Sequence, residues 1–392
     1  LRLVGSEMCI RDSYDAVQKA IDKAKLLADV VIGLGHLGVD PSSSPWTSEE
    51  VIAHTSGFDA FIDGHSHTVM ENKQVQDASG KAVTLTQTGS YFANVGEMTI
   101  AADGTITTKL IPTHEGMDAG IAAMQTGWVN TVDDMLGEKI AVGDSDFYVS
   151  DPATGKRRIR SAETNLGDFV ADGIYTYFNE VEKLHCDVAI MNGGGIRADV
   201  PAGDWTFKTC KQVSPFGNVA CLMSVTGKQI QDALEFAARF AGEDGKENGG
   251  FLQVAGATYE IHTDIPNTVQ TDEKNVWIGS ATGTPRVQNV KIYDKASGSY
   301  LPLDPGATYA LAGMNYTLRN LGDGFAMFDG AELIKDYVSE DYLVMSTYAM
   351  IFDGADAAGL PHLSSANSPL AAYPGYLLNY EQPYGAGRIT IL

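Results

Sequence analysis

Asp29-Val-Val-Ile-Gly-Leu-Gly-His36-Leu-Gly38 and Phe58-Asp-Ala-Phe-Ile-Asp-Gly-His65-Ser-His67-Thr68 each run from a short apolar stretch into a histidine-bearing loop. The apolar runs have the length of buried strands, and the segments around them are helical in pattern. From Asp15 to Ala28, apolar residues recur at Val17, Ala20, Ile21, Ala24 and Leu27, a helical period. Thr47 to His54 reads as a second helix, capped by Thr47 or Ser48, with Glu49 and Glu50 in its first turn. Helix and strand alternating across short links predict a parallel sheet. Both histidine loops then lie at the carboxyl ends of strands, where ligands and catalytic groups collect.

Imidazole is a good ligand for zinc or manganese, and a neighbouring glycine lets the backbone close around an ion. A single histidine at a strand end is more often structural. His36, His65 and His67 on two tandem loops point instead to metal ligation, with His65 and His67 serving adjacent ions. A competing motif fails on context. Gly33-Leu-Gly35-His-Leu-Gly38 has dinucleotide-loop spacing, but that loop must open a helix so that its amides face pyrophosphate. Asp40-Pro-Ser-Ser-Ser-Pro45 follows, a poor helix, and the acidic Asp59 falls inside the next strand.

Further along, alternation in Val83 to Gln87 and Glu97 to Ile100, then Gly104 before Thr105 to Ile111, predicts antiparallel strands with a hairpin. Met117 to Leu136 is one long helical pattern suited to joining two domains. Beyond it, strands are predicted near 139–143, 187–191, 219–225 and 308–313, with helices near 164–180, 227–240 and 331–349. This second part reads as mixed α/β or α+β. With 392 residues, two domains are the natural expectation.

A net charge of −23 excludes nucleic acid or an anionic membrane as partner, since both need a basic footprint. An anionic small substrate stays compatible, provided local arginines or metals capture it. No stretch reaches the roughly 18–20 apolar residues of a membrane span. Cys9, Cys186, Cys210 and Cys221 show no metal-binding CxxC spacing and read as buried thiols, with a Cys210–Cys221 bridge left open. Leu1 to Ser13 lacks the apolar core of a signal peptide and has no periodicity. It reads as a non-native leader, and the protein proper begins inside a helix near Tyr14.

The His36 loop and Gly64-His65-Ser66-His67-Thr68 resemble the last two motifs of the 5′-nucleotidase family of calcineurin-like metallophosphatases. That resemblance extends in order along the chain. Arg160 precedes Glu163-Thr-Asn-Leu-Gly-Asp168, and Asp187-Val-Ala-Ile-Met-Asn192-Gly-Gly194-Gly-Ile-Arg197 ends a strand in a triple-glycine turn. Ser214-Pro-Phe216-Gly-Asn218 and Asn315-Tyr316 through Gly322-Asp323-Gly324-Phe325 are similar to the family's base-recognition segments. Tyr316 stands seven residues before Asp323, one more than the family spacing. Gly387-Arg388-Ile389 resembles the closing strand, and residues 353–380 read as an insertion.

The resemblance implies a fold and a chemistry. Residues 14–116 would be the C-terminal portion of a four-layer αββα metallophosphatase domain, 117–136 a linker helix, and 137–392 a nucleotide-binding domain of mixed α/β. His36 and His65 would bind one divalent ion (zinc, manganese or similar) and His67 a second. Arg160, Asn192, Gly194 and Arg197 would hold phosphate, because arginine's planar fork pairs with it bidentately. Phe216 and Tyr316 would stack on the base, a sequence-tolerant device, and Asp323 would accept from ribose hydroxyls.

In that family a metal-activated hydroxide attacks phosphorus while two ions stabilise the developing charge. The family's Asp-x-His loop, further Asp and Asn-His-Glu segment do not occur before His36. Accordingly, the chain is read as an N-terminally shortened form that carries no catalytic histidine, binds metal poorly and is inactive alone. Alternative substrates are 2′,3′-cyclic nucleotides, 3′-nucleotides, nucleotide sugars or thiosulfate conjugates; the alternative class is a non-catalytic nucleotide-binding surface protein. The resemblance also implies a periplasmic, cell-surface or secreted location.

Overall fold

The computed structural model describes residues 10–40, 43–113, 116, 118–243 and 245–392. Cys9 and most of the proposed leader lie outside these residues, as does Met117, the expected start of the long helix. Two compact units divide the chain. One takes the chain up to Ala119 together with Glu273–Asn275, and the other takes Gly120–Asp272 and Val276–Leu392.

The first unit opens with helix α1 (Ile10–Lys25), which starts N-terminal to the expected Asp15. Strand β1 (Ile32–Leu34) follows, then α2 (Ser48–His54) and β2 (Ala60–Ile62). Thr47 caps α2 through a capping box with Glu50: the Thr47 hydroxyl accepts from the Glu50 amide, and the Glu50 carboxylate accepts from the Thr47 amide. Two orphan donors at the helix start are satisfied reciprocally. β3 (Val69–Gln76) and β4 (Ala82–Thr88) complete a sheet in the order β1-β2-β4-β3. β1 and β2 are parallel as expected; β4, whose alternation predicted an antiparallel strand, pairs in parallel with β2 and antiparallel only with β3. β3 went unrecognised because Val-Met-Glu-Asn-Lys-Gln-Val-Gln is largely exposed and carries no alternating apolar signal. Ile21, Val51, Ile52, Phe58, Phe61, Val83 and Leu85 form the buried core. β5 (Asn94–Ile100) and β6 (Ile106–Pro112) make the expected antiparallel hairpin, turning through Gly104 at φ +83°. Only glycine adopts that conformation cheaply.

Helix α3 (Ala119–Leu136), none of whose residues is buried, belongs to the second unit from Gly120 onward. Its elements then run β7 (Lys139–Gly143), α4 (Asn165–Thr176), β8 (Val188–Asn192), β9 (Gly203–Thr206), α5 (Phe207–Val213), β10 (Ala220–Thr226) and α6 (Gly227–Ala237). β11 (Leu252–Ala255), β12 (Ala257–Ile261), the small β13 (Gln270–Thr271) and β14 (Trp277–Gly279), β15 (Val287–Asp294), β16 (Ser299–Pro302) and β17 (Thr308–Met314) follow. α7 (Asn315–Leu318), β18 (Glu332–Lys335), α8 (Asp341–Met350), β19 (His362–Leu363) and β20 (Ile389–Ile391) complete it. A mixed five-stranded sheet in the order β11-β8-β17-β10-β18 forms its centre. β8 and β17 are parallel, and the other neighbours are antiparallel. One apolar cluster includes Phe147, Phe169, Phe178, Trp205 and Tyr348; the other includes Phe236, Phe251, Leu311 and Phe325.

One expectation for this unit is corrected. Residues 331–349 are not one helix, because Glu332–Lys335 pairs with β10 as an edge strand before α8 starts. A helical reading absorbed Leu333 and Ile334, whose apolarity comes from the sheet edge. Residues 353–380, read as an insertion, are packed into the unit. β19 pairs in parallel with β7, and Leu363, Leu370, Tyr376 and Tyr380 are buried in the main cluster. Cys186, Cys210 and Cys221 are buried free thiols, so the open Cys210–Cys221 bridge is absent. Burial pushes the Cys210 and Cys221 thiols up to about 12.

Candidate functional site

The histidine loops of the first unit are held by one carboxylate. Asp63 follows β2, and its Oδ1 accepts from the Leu37 amide at 2.8 Å. Its Oδ2 accepts from the Gly38 amide at 3.1 Å and from Nε2 of Gln87 at 3.1 Å. Ser66 Oγ accepts from the Val39 amide at 3.2 Å, a second tie between the loops. His36 and His65 are brought together, their ring centroids 5.2 Å apart at 74°. A Cβ on Gly64 would stand 3.0 Å from His36 Nδ1, so the glycine leaves room for that ring. His67 meets a different neighbour, the Tyr91 ring at 6.2 Å. His65 and His67 both sit at positive φ, 79° and 56°. Backbone held in that region by non-glycine residues is typical of ligand loops.

The donor set tests whether a metal would fit. Imidazole suits zinc or manganese, but two ions carry four positive charges that neutral rings do not offset. Among the described residues, no group of three His, Cys, Asp or Glu side chains is placed to hold a metal ion. Asp63, the carboxylate nearest in sequence, is committed to backbone amides and Gln87. The residues described do not build a metal cage.

A denser arrangement occupies the end of β8 in the second unit. Its last residue, Asn192, leads into the glycine turn, where the Gly193 amide donates to Phe251 O and the Gly194 amide to Gly249 O, both at 2.7 Å. A Cβ on Gly193 would lie 2.4 Å from the Ile159 carbonyl oxygen, and one on Gly194 would lie 3.1 Å from that of Gly249. The turn thus brings three backbone segments closer than side chains permit. Asn192 Nδ2 donates to Asp323 Oδ2 at 3.1 Å, and the Tyr316 hydroxyl donates to Asp323 Oδ1 at 2.9 Å. Asp323 itself sits at φ 55° in a turn where Leu321 and Gly324 are also left-handed.

Positive charge converges on the same place. The Arg160 carbonyl accepts from the Asn248 amide, and its guanidinium stands 3.8 Å from Glu247. Burial lowers the Arg160 pKa to about 10, aided by repulsion from Arg157 and Arg197 and opposed by Glu247 and Asp323. Arg197 is anchored through its amide to Val213 O at 2.9 Å, and its Cζ lies 5.7 Å from the Phe216 ring centroid. Phe216 is 59% exposed. Arg160 Nε and Asn192 Oδ1 are both buried and have no hydrogen-bond partner. Buried polar atoms without partners are rare, and each calls for an explanation.

Hydrogen bonds and electrostatic contacts therefore link Arg160, Asn192, Gly194, Arg197, Tyr316 and Asp323, with Phe216 joined through Arg197. Sequence reasoning missed Asp63 and the Glu247-Asn-Gly-Gly250 loop. Asp63 adjoins Gly64-His65, so its position was a usable signal. The 247–250 loop offered only a glycine pair, which is common in turns.

Residues 141–330 match the family model described as 5′-nucleotidase, C-terminal domain. The chain is 29% identical over 357 residues to the trifunctional nucleotide phosphoesterase protein YfkN of Bacillus subtilis, covering 87% of this chain and 22% of that protein. It is 26% identical over 374 residues to the 5′-nucleotidase of Homo sapiens, covering 88% of this chain and 60% of that protein. The chain thus spans less than two thirds of either curated relative. Among solved structures, a 5′-nucleotidase precursor from Thermus thermophilus has a similar fold, with a TM-score of 0.65 and 23% identity over 97% of this chain and 68% of that one.

Proposed function

Since residues 141–330 belong to the 5′-nucleotidase C-terminal domain family, we propose that this unit holds a nucleotide for phosphoester hydrolysis. The observation that carries the reading is the pair of partnerless buried atoms, Arg160 Nε and Asn192 Oδ1, beside Asp323. A phosphate oxygen would accept from Arg160, and Arg197 adds a second planar fork. Asp323 would accept from ribose hydroxyls, and Phe216 and Tyr316 offer ring faces to the base. Gly194 lets the ligand approach the backbone.

Metal ligation by His36, His65 and His67 belongs to the same reading, as a partial donor set that needs added carboxylates. What the described residues themselves supply is the binding and orientation of the nucleotide. The alternative reading is a nucleotide-binding protein without turnover. The reading also assigns residues 117–136 as the connecting helix and implies a periplasmic, cell-surface or secreted location. No helix of the described residues is long and apolar enough to cross a membrane.

Calorimetric titration of the chain with AMP, adenosine and inorganic phosphate tests the binding reading. AMP should bind more tightly than either part alone. Equal affinity for all three, or no AMP binding at millimolar concentration, would overturn it. Phosphate release with added zinc or manganese separates enzyme from binder. The chain alone is expected to show no appreciable turnover.

A further inference from the structure

Two side-chain donors hold the half-buried Asp323 carboxylate. Asn192 Nδ2 donates to Oδ2 at 3.1 Å, and the Tyr316 hydroxyl donates to Oδ1 at 2.9 Å. The Gly249-Gly250 backbone stands beside it. A Cβ on Gly250 would lie 3.2 Å from Asp323 Cβ, and one on Gly249 would lie 4.0 Å from Oδ1. The Tyr316 ring is folded down on the same turn, since a Cβ on Gly322 would meet its Cζ at 2.5 Å and its Cε atoms at 2.6 Å. Leu321, Asp323 and Gly324 all hold positive φ, and the turn that presents Asp323 keeps that backbone only because its surroundings hold it.

Of the two donors on Asp323, Asn192 is the fixed one. It ends a buried strand and is 5% exposed, whereas Tyr316 is 37% exposed. Burial first, and the nearby Asp323 carboxylate second, push the Tyr316 phenol above the usual tyrosine range, so it stays a donor at neutral pH.

We infer that Tyr316 is a specificity-determining latch: its hydroxyl occupies Asp323 Oδ1 until a sugar hydroxyl replaces it. This rests on the nucleotide reading above. The exchange trades one O–H donor for another on a fixed carboxylate, so a ligand with a sugar diol can open the latch. A ligand lacking those hydroxyls cannot compensate for the lost bond and must bind with the latch closed. As an internal competitor for Asp323, Tyr316 thereby lowers the affinity for ribose ligands and narrows the margin by which they are preferred over ligands without the diol.

The test measures the affinity of the chain and its Tyr316→Phe variant for AMP and for 2′,3′-dideoxy-AMP, with circular dichroism confirming the fold of each. Loss of one charge-assisted competing bond should tighten AMP binding about three- to tenfold and leave the dideoxy ligand unchanged. Asp323→Asn, which removes the charged acceptor, should bring the two ligands close to equal affinity. Weaker or unchanged AMP binding by Tyr316→Phe would overturn the latch, as would equal tightening of both ligands. If neither ligand binds either folded protein, the nucleotide reading falls and the latch falls with it.

Discussion

Arg388 and Asp172 form an ion pair at 2.8 Å, with neither side chain exposed to solvent. The hydroxyls of Tyr376 and Tyr380 also donate to the Asp172 carboxylate, each at 2.7 Å, and Arg388 Nη1 donates to Val254 O at 2.9 Å. Glu163 accepts from the amides of Gly387, Arg388 and Ile389. The C-terminal segment is thus tied to α4 and β11 by buried polar bonds rather than draped over the surface.

Replacing Arg388 with Met should be severe. The substitution keeps much of the volume but leaves Asp172 buried without its cation. Breaking such a pair typically costs about 3–5 kcal/mol. Urea denaturation would show it as a lower midpoint. A loss within about 0.5 kcal/mol, the range of ordinary surface substitutions, would contradict the assigned role.

Gly193→Ala should damage the site from within. The added methyl would sit 2.4 Å from the Ile159 carbonyl oxygen, so backbone must move. Overpacking of this kind costs about 1–3 kcal/mol. Because Arg160 follows Ile159, AMP affinity should fall as well, measurable by the same titration as above. Unchanged affinity would mean that the turn does not position Arg160.

Asp341 makes stability depend on pH. Burial raises its pKa from 3.8 to about 6, although it accepts from the Tyr342 and Asn218 amides. A carboxyl whose folded pKa is raised binds its proton more tightly in the folded state. Its contribution is therefore complete below pH 3.8 and lost as pH rises through about 6. Asp341→Asn cannot titrate, so the variant's urea midpoint should lack this decline between about pH 4 and 6. Parallel curves for the two proteins would rule the effect out.

Asp63 should govern the order of the first histidine loop. Removing its carboxylate with Asp63→Ala leaves the Leu37 and Gly38 amides without their acceptors. Lost buried hydrogen bonds cost about 1–3 kcal/mol. Hydrogen exchange at those two amides should accelerate by about tenfold or more. Exchange that stays at the native rate would show the loop to be held by other contacts.

Much of this architecture was legible in the sequence. The parallel sheet of the first unit followed from Val/Ile-rich runs alternating with helical periods, and Thr47 and Glu50 announced their helix start. β7, β8, β10 and β17 fell within a residue of expectation because buried strands leave continuous apolar runs. β3 and β18 were missed for the opposite reason. Their residues are exposed, and only the neighbouring strand's hydrogen bonds make them strands.

What the sequence determined by itself is local: periodicity, caps, glycine turns, and the motif order on which Arg160, Asn192, Arg197 and Asp323 are proposed. Tertiary structure alone decided their relations. It set Tyr316 on Asp323, drew residues 353–380 into the core around Asp172, and committed Asp63 to the amides of the other histidine loop. The physical reason is range. Periodicity reports which face of an element is buried, whereas a hydrogen bond between side chains 131 or 208 positions apart depends on how whole elements pack.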